Sequence, residues 1–362
     1  MIRARIPGLI CISVLLGILV AGLVPFERPR NAVTWLGNEN GVRLGRHGTI
    51  WSSGAFAVAD AQGEPSCSLE LWLQPGSTSA SSTLLAFYTP ENPLQFLLQQ
   101  YRALLILSRR SRADQNQTQI IGTDGVFLRI EPVFITITSG ADRSSMYVDG
   151  NLVRSFPGIR IGKECAGKLV IGTSPAGKSN WSGQLKGLAL YQQELTAEEV
   201  LRHYQTWTTQ GRPGLSGNEH AIGVYLFDER AGNVVHNDVR LGIDLYIPKR
   251  FTVLHQEFLE PFWKEFKPSV SYWKDILVNI VGFIPLGFFF CAYWSSVRPI
   301  KHPRLITVVL GLAVSLTIEV LQSYLPTRDS GTTDLITNTL GTFLGVRLYA
   351  WKAARALLAK LY

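Results

Sequence analysis

Four apolar runs, about 6–26, 276–294, 305–325 and 335–351, constrain this chain more than any other feature of it. A helix needs about twenty apolar residues to cross the hydrocarbon core. The first and third runs meet that length, while the last is short and must lean on neighbours or thin the bilayer locally. With 46% hydrophobic and only 17% charged residues, the chain is too apolar for an ordinary soluble protein. Part of it therefore belongs in lipid. Arg3 and Arg5 precede the first run, as they would in a signal peptide, but no clear small-x-small site precedes Pro25. We read residues 1–30 as a retained transmembrane helix. Retained or cleaved, it exports the segment beginning at residue 31.

The polar residues inside these runs are as informative as the runs. Ser315, Glu319 and Gln322 have i, i+4, i+7 spacing and so share one helix face. Asp334, Asn338, Gly341 and Gly345 do the same on another helix, and Asp275 and Asn279 form an i, i+4 pair at the start of a third. Ionisable side chains in membrane helices generally bind or conduct something. Arg298, Lys301 and Arg304 lie between the second and third runs, and Arg347, Lys352, Arg355 and Lys360 lie at or beyond the end of the fourth. Both groups belong on the cytoplasmic side. The loop 326–333, with Arg328 and one Asp, then faces out, and all three polar pairs lie in the outer half of the membrane.

Between the first run and the other three, residues 31–212 change to short segments of period two separated by Gly, Ser, Asn and Pro. That pattern is all-β. Leu69, Leu71 and Leu73 alternate with Ser68, Glu70 and Trp72, as in a strand with one buried face. Asp149-Gly150 is a hairpin turn, and Thr196 with Glu199 is a capping box. Gly211 to Gly217 reads as a linker. Cys67 and Cys165 fall in this exported part; they form a disulfide or stay as two buried thiols. Residues 249–274 are rich in Phe, Trp and Tyr interleaved with Glu257, Lys264 and Lys267, a mixture suited to the membrane interface. The net charge of +8 comes from dispersed basic residues and those flanking apolar runs, without a nucleic-acid-binding motif. No nucleic-acid partner is expected.

Two family resemblances rest on these residues. Ser68-Leu-Glu-Leu-Trp72, Tyr147-Val-Asp-Gly150, Leu169-Val-Ile-Gly172 and Trp181 to Tyr191 before Leu195-Thr196 resemble the laminin-G-like, concanavalin A-like family over about 48–207. The resemblance implies a jelly-roll sandwich of two antiparallel sheets, with a glycan or protein as its possible ligand. Ala221 to Pro248 is similar to opening strands of the same family and is expected to complete the sandwich. Some members hold calcium on clustered loop carboxylates. Here Asp124, Asp142 and Asp149 read as turn residues, so the expectation is no metal and no cofactor, with calcium in the sandwich the weak exception. Asp275 to Gly287, Ser315 to Gln322, Arg328, and Asp334 to Gly341 with Gly345 resemble the VanZ family of membrane proteins over about 271–348. Residues 9–24 would supply that family's first helix, with the sandwich inserted in the loop after it. The family takes its name from glycopeptide (teicoplanin) resistance.

The whole reads as a multidomain membrane protein: an all-β jelly-roll sandwich plus an all-α transmembrane bundle of about four helices, residues 275–362 with the N-terminal helix. It is placed in a bacterial cytoplasmic (inner) membrane with the sandwich outside. The expected function is an envelope protein whose sandwich binds a glycan or protein and whose bundle holds a lipid or lipid-linked envelope component, linked to glycopeptide-type resistance. The ligand site is expected from Asp275, Asn279, Glu319, Gln322, Arg328, Asp334 and Asn338, with Arg328 meeting an anionic head group. The alternative is an intramembrane hydrolase or transferase using Glu319 and Asp334 as acid and base. Against it, the stripes contain no evident nucleophile and no histidine. A glycosidase built on Glu64 with Glu70, or Glu198 with Glu199, is weaker still, since these lie at the start of a strand and in a helix cap.

Overall fold

The structure is a computed structural model describing residues 5–24, 28–57, 65–110, 117–240, 242–256, 258–266, 268–328, 330–352 and 355. Arg3, Pro25, Glu64, Glu257, Lys267 and Lys360 lie outside the described residues. The chain forms two compact units, Met1–Arg28 with Gln256–Tyr362, and Pro29–His255.

The second unit is a sandwich of two antiparallel sheets. One runs β1 (Val33–Trp35), β2 (Val42–Leu44), β13 (Gly183–Tyr191), β4 (Cys67–Pro75), β9 (Val133–Ser139), β10 (Arg143–Val148) and β11 (Asn151–Pro157), with β14 (Ala221–Tyr225) also paired to β13. The other runs β15 (Val234–Val235), β16 (Leu245–Tyr246), β3 (Ile50–Phe56), β12 (Gly167–Ile171), β5 (Ser81–Thr89), β6 (Asn92–Tyr101), β7 (Leu104–Arg110) and β8 (Thr118–Thr123). Residues 221–246 thus contribute to both sheets. Asp149 and Gly150 both have positive φ, 49° and 76°, which is what a two-residue turn between β10 and β11 requires. Cys67 and Cys165 are joined by a disulfide with Cα atoms 6.6 Å apart.

The alternation in β4 does not mean what it does in a one-sided strand. Leu69, Leu71 and Leu73 enter the core between the sheets, but Ser68 and Glu70 on the other face are buried as well. The reason is α2 (Ala197–Gln210), whose Val200, His203 and Trp207 pack over that face with Phe134, Tyr147 and Tyr191. The helix starts on the capping box of Thr196 and Glu199 and ends at Gly211 in the left-handed region. Sequence alternation cannot report a second layer that comes from elsewhere in the chain.

Glu70 is therefore a buried carboxylate, and it is answered in full. Its Oε1 is 2.8 Å from His203 Nδ1, and its Oε2 accepts from the Tyr191 hydroxyl at 2.8 Å and the Trp207 indole at 3.1 Å. On the other side of the imidazole, His203 Nε2 stands 3.2 Å from Glu219 Oε2. Glu219 also accepts from Ser216 N and Ser216 Oγ and pairs with Arg202. Arg202 Nε donates to Gly214 O, and Gly214 N donates to Thr206 Oγ1. The segment read as a linker is thus tied down along its length. Burial works against the charged imidazole, but hydrogen bonding to Glu70 and the charges of Glu70 and Glu219 outweigh it and raise its pKa. The Glu219 carboxyl is held low despite burial, chiefly by its Ser216 hydrogen bonds.

The first unit holds α1 (Arg5–Leu23), a four-residue α3 (Phe262–Glu265), α4 (Val270–Ala292), α5 (Pro303–Gln322) and α6 (Thr332–Ala350). Three segments, Ile6–Leu23, Val270–Val297 and Pro303–Gln322, are long and apolar enough to cross a membrane. The protein is a membrane protein. The fourth run, α6, is less apolar because Thr332, Thr333, Asp334, Thr337, Asn338, Thr339 and Thr342 lie on it. Most of that polarity is turned inward: Thr333, Thr337, Asn338 and Thr342 are buried. Of the aromatic segment, Phe251 is buried in the sandwich unit against His47, so it is no interfacial anchor. Phe258, Phe262, Trp263, Phe266 and Trp273 are exposed as an interface would have them.

The histidine latch makes the sandwich pH-sensitive. Since the folded His203 pKa lies above the ordinary 6.5, its contribution is complete below that value and is lost as the pH rises through the folded value. Glu219 contributes above its ordinary 4.5 and loses that contribution as the pH falls through its depressed value. Hydrogen exchange on the full chain should therefore show α2 best protected between about pH 5 and 6.5 and progressively less so towards pH 9. His203→Gln should lower that protection by about 3 kcal/mol at pH 6 and flatten its alkaline decline. An unchanged alkaline decline in the variant would contradict this assignment.

Candidate functional site

The bundle is set by close approaches at glycine. A Cβ on Gly341 would stand 2.2 Å from Ile280 O, one on Gly345 2.1 Å from Ile284 O, and one on Gly287 2.0 Å from Thr342 O. Those three positions bring α4 and α6 into backbone contact. Gly311 makes room on α5 for the Thr342 side chain, whose Oγ1 would stand 2.3 Å from a Cβ there. The other end of α5 meets α1, where Gln322 Nε2 donates to Gly22 O at 2.7 Å. Arg328 donates to Val24 O. These bonds satisfy carbonyls left open at the α1 terminus.

The carboxylates gather where α6 begins. Its N-cap is Gly331, which has no side chain to accept from the first-turn amides. Glu319, from the last turn of α5, accepts from Gly331 N at 2.8 Å, and Glu265 of α3 accepts from Thr333 N at 2.9 Å and from the Thr333 hydroxyl. Asp334 lies in the first turn, its Oδ1 accepting from Asn279 Nδ2 of α4 at 2.7 Å. One turn on, Asn338 Nδ2 donates to Ser315 Oγ at 3.0 Å. The positive end of the α6 dipole explains why three acidic groups converge here. Gln256 completes the arrangement by donating to Leu325 O and Arg328 O at 3.0 and 2.8 Å, which holds the turn between α5 and α6.

Beside this cluster is a cavity of about 400 Å³. Asn279, Glu319, Gln322, Asp334 and Asn338 form its polar part, and Val14, Ile18, Ala21, Val278, Phe283 and Ile318 its apolar part. Gly17 and Gly282 also line it, and a Cβ on either would meet nothing within 4 Å. Two buried acceptors, Gln322 Oε1 and Asn338 Oδ1, have no hydrogen-bond partner. Buried polar atoms rarely stay unsatisfied unless something else supplies the bond.

Five of the seven residues expected from the sequence are thus brought together, and two are not. Asp275 is exposed on the first turns of α4, a full turn before Asn279 and away from the cavity lining. Arg328 is outside the lining too, its guanidinium turned to Val24 O with Nε unpartnered. Glu265 and Gln256 were not foreseen, since both come from a segment whose aromatic content dominated its reading. The small face of α1, Gly17, Ala21 and Gly22, was also missed; its i, i+4 spacing within a Leu/Ile/Val-rich run was the available signal. In the sandwich, Glu70 is a structural carboxylate and Glu198 lies in the first turn of α2, which leaves neither as part of a glycosidase pair. A shallow trough of about 310 Å³ there is lined by Arg43, Gln74, Ile130 and Gln184 among others.

Comparison with known proteins agrees with both halves. Residues 223–353 match the VanZ/LLP1 family, and residues 47–201 match the concanavalin A-like lectin/glucanases superfamily. The C-terminal helices are VanZ-like and the sandwich is concanavalin A-like. Protein VanZ of Enterococcus faecium is 33% identical over 76 residues, covering 21% of this chain and 44% of that protein. The chain therefore spans less than half of that relative. Among solved structures, the receptor binding domain of botulinum neurotoxin mosaic serotype C/D has a TM-score of 0.39 at 12% identity, covering 50% of this chain and 46% of that one. The botulinum neurotoxin serotype D ligand binding domain in complex with N-acetylneuraminic acid has a TM-score of 0.38 at 14% identity, covering 51% and 47%. Likenesses of this size carry nothing about ligand.

The glycine geometry separates packing from cavity. Gly341→Leu should force α4 from α6 and abolish the monodisperse protein peak on size exclusion, while Gly282→Leu, which enters open space, should leave it intact. Equal behaviour of the two variants would contradict the described packing.

Proposed function

We propose that the helical unit holds an amphipathic membrane molecule, a lipid or lipid-linked envelope component, without transforming it. Its polar head would lie among Glu319, Gln322, Asp334 and Asn338, and its apolar part along α1 and α4. The observation that carries this reading is the cavity itself, apolar along α1, α4 and α5 with Glu319, Gln322, Asp334 and Asn338 in the same lining; Gln322 and Asn338 each carry a buried oxygen without a partner. A water-filled polar pocket would not need the apolar wall.

The lining favours holding over reaction. It contains no Ser, Thr, Cys, His, Lys or Tyr, which leaves Glu319 and Asp334 as the groups in the lining that could act as nucleophile or base. Glu319 and Asp334, the acid and base of the enzymatic alternative, are each already engaged as acceptors by Gly331 N and Asn279 Nδ2. Orientation rests on the basic residues 298–304 and 347–355 at one end of the helices. On that basis the polar end faces the outer leaflet of a bacterial inner membrane and the sandwich, residues 29–255, is exported. The concanavalin A-like fold supports a glycan as the sandwich's ligand, with a protein as the other option. A share in glycopeptide-type resistance rests on family resemblance alone.

Mass spectrometry of lipids co-purified with the wild type and with Gly282→Leu tests the reading. At least one lipid class should be about tenfold depleted in the variant, the size expected when about 1.4 kcal/mol of binding is lost. Identical bound sets would overturn it.

A further inference from the structure

We infer that the head group taken by this cavity carries a protonated amine. The inference rests on the holding role proposed above and adds to it the chemical class of the ligand. Three observations converge on it.

Each carboxamide at the site has turned its nitrogen to the protein. Asn279 Nδ2 goes to Asp334 Oδ1, Gln322 Nε2 to Gly22 O, and Asn338 Nδ2 to Ser315 Oγ. Two of these orientations are fixed by their partners, because reversing Gln322 or Asn279 would set oxygen against oxygen. What is left without a partner is oxygen. Gln322 Oε1 and Asn338 Oδ1 are unpartnered, and their residues are only 7% and 4% exposed. Finally, among the described residues no Lys, Arg or His forms an ion pair with Glu319, Asp334 or Glu265.

The site is thus rich in acceptors, and its carboxyl groups form no ion pair among the described residues; Arg328, outside the lining, is the positive charge that acts on Asp334. A phosphate or carboxylate head would bring further acceptors against these oxygens and be repelled. A hydroxyl would supply a single donor and no charge. An ammonium group supplies three donors and a positive charge beside carboxyl groups that form no ion pair of their own. Its attached chain would continue along Val14, Ile18, Val278 and Phe283. An amine head differs from the expectation that Arg328 meets an anionic one; Arg328 lies outside the lining.

The test is photolabelling of the full chain in phosphatidylcholine nanodiscs with three diazirine probes of equal chain length: an alkylamine, an alkanol and an alkyl phosphate. The amine should label peptides of α1 and α4 about tenfold more than either other probe, with that labelling lost in Gly282→Leu. Glu319→Gln and Asp334→Asn keep an acceptor and remove a charge; each should reduce the amine's labelling and leave the alkanol's unchanged. Should either variant fail to fold, the N-acetylated amine on the wild type removes the charge from the ligand side instead and should label like the alkanol. If alkanol or phosphate labels as well as the amine and Gly282→Leu blocks it, the amine class is wrong and the holding role survives. If no probe labels the wild type above Gly282→Leu, both fail.

Discussion

The bond from Gly331 N to Glu319 joins the last turn of one membrane helix to the first of the next, and the need for it shapes the bundle. Gly331 and Thr333 are buried at this helix start, so their amides need partners from the protein. Gly331 offers no side chain, so the acceptors come from other elements: Glu319 from α5 and Glu265 from α3. Carboxyl groups are the strongest acceptors for this purpose and are favoured by the helix dipole. Once they are there, Asn279 is drawn to Asp334 and α4 is fixed against α6, where glycine permits contact. The polar end of the cavity is a by-product of capping a helix, available for a ligand because not every oxygen is used.

The sandwich solves a similar problem in a different solvent. Glu70 is wholly buried between β4 and α2, where an unpaired charge would be expensive. His203, Tyr191 and Trp207 answer it, and Glu219 answers His203. The arrangement secures α2 and the stretch after it, so that the chain can return through β14, β15 and β16 to finish both sheets. In both units a buried carboxylate places elements far apart in sequence; in the helical unit a cavity adjoins it.

Much of this was legible from spacing. The i, i+4, i+7 pattern set Ser315, Glu319 and Gln322 on one face, and the same pattern on α6 set Asp334 and Asn338 beside the glycines that pack it. Asp149-Gly150 and the Thr196–Glu199 box lie where they were expected, because turns and caps are decided by neighbours in the chain. What spacing could not give was anything decided by a third element. Glu70 reads as an outward residue until α2 is laid over it. Asp275 reads as a site residue because it pairs with Asn279 in sequence, yet one turn of helix carries it out to the surface. Glu265 and Gln256 act across a loop that no periodicity connects to α5 or α6. The open side of Gly17 and Gly282 becomes apparent only with α1 seated against α4 and α5.

The central claim is that this cavity is occupied by an amphipathic molecule, head inward. Cryo-electron microscopy of the full chain in nanodiscs made from its native membrane tests that most directly. Elongated density along Val14, Ile18 and Phe283 should end within hydrogen-bonding distance of Gln322 and Asn338. A cavity closed by α1 collapsing onto α4, or one holding only isolated waters, would contradict the account.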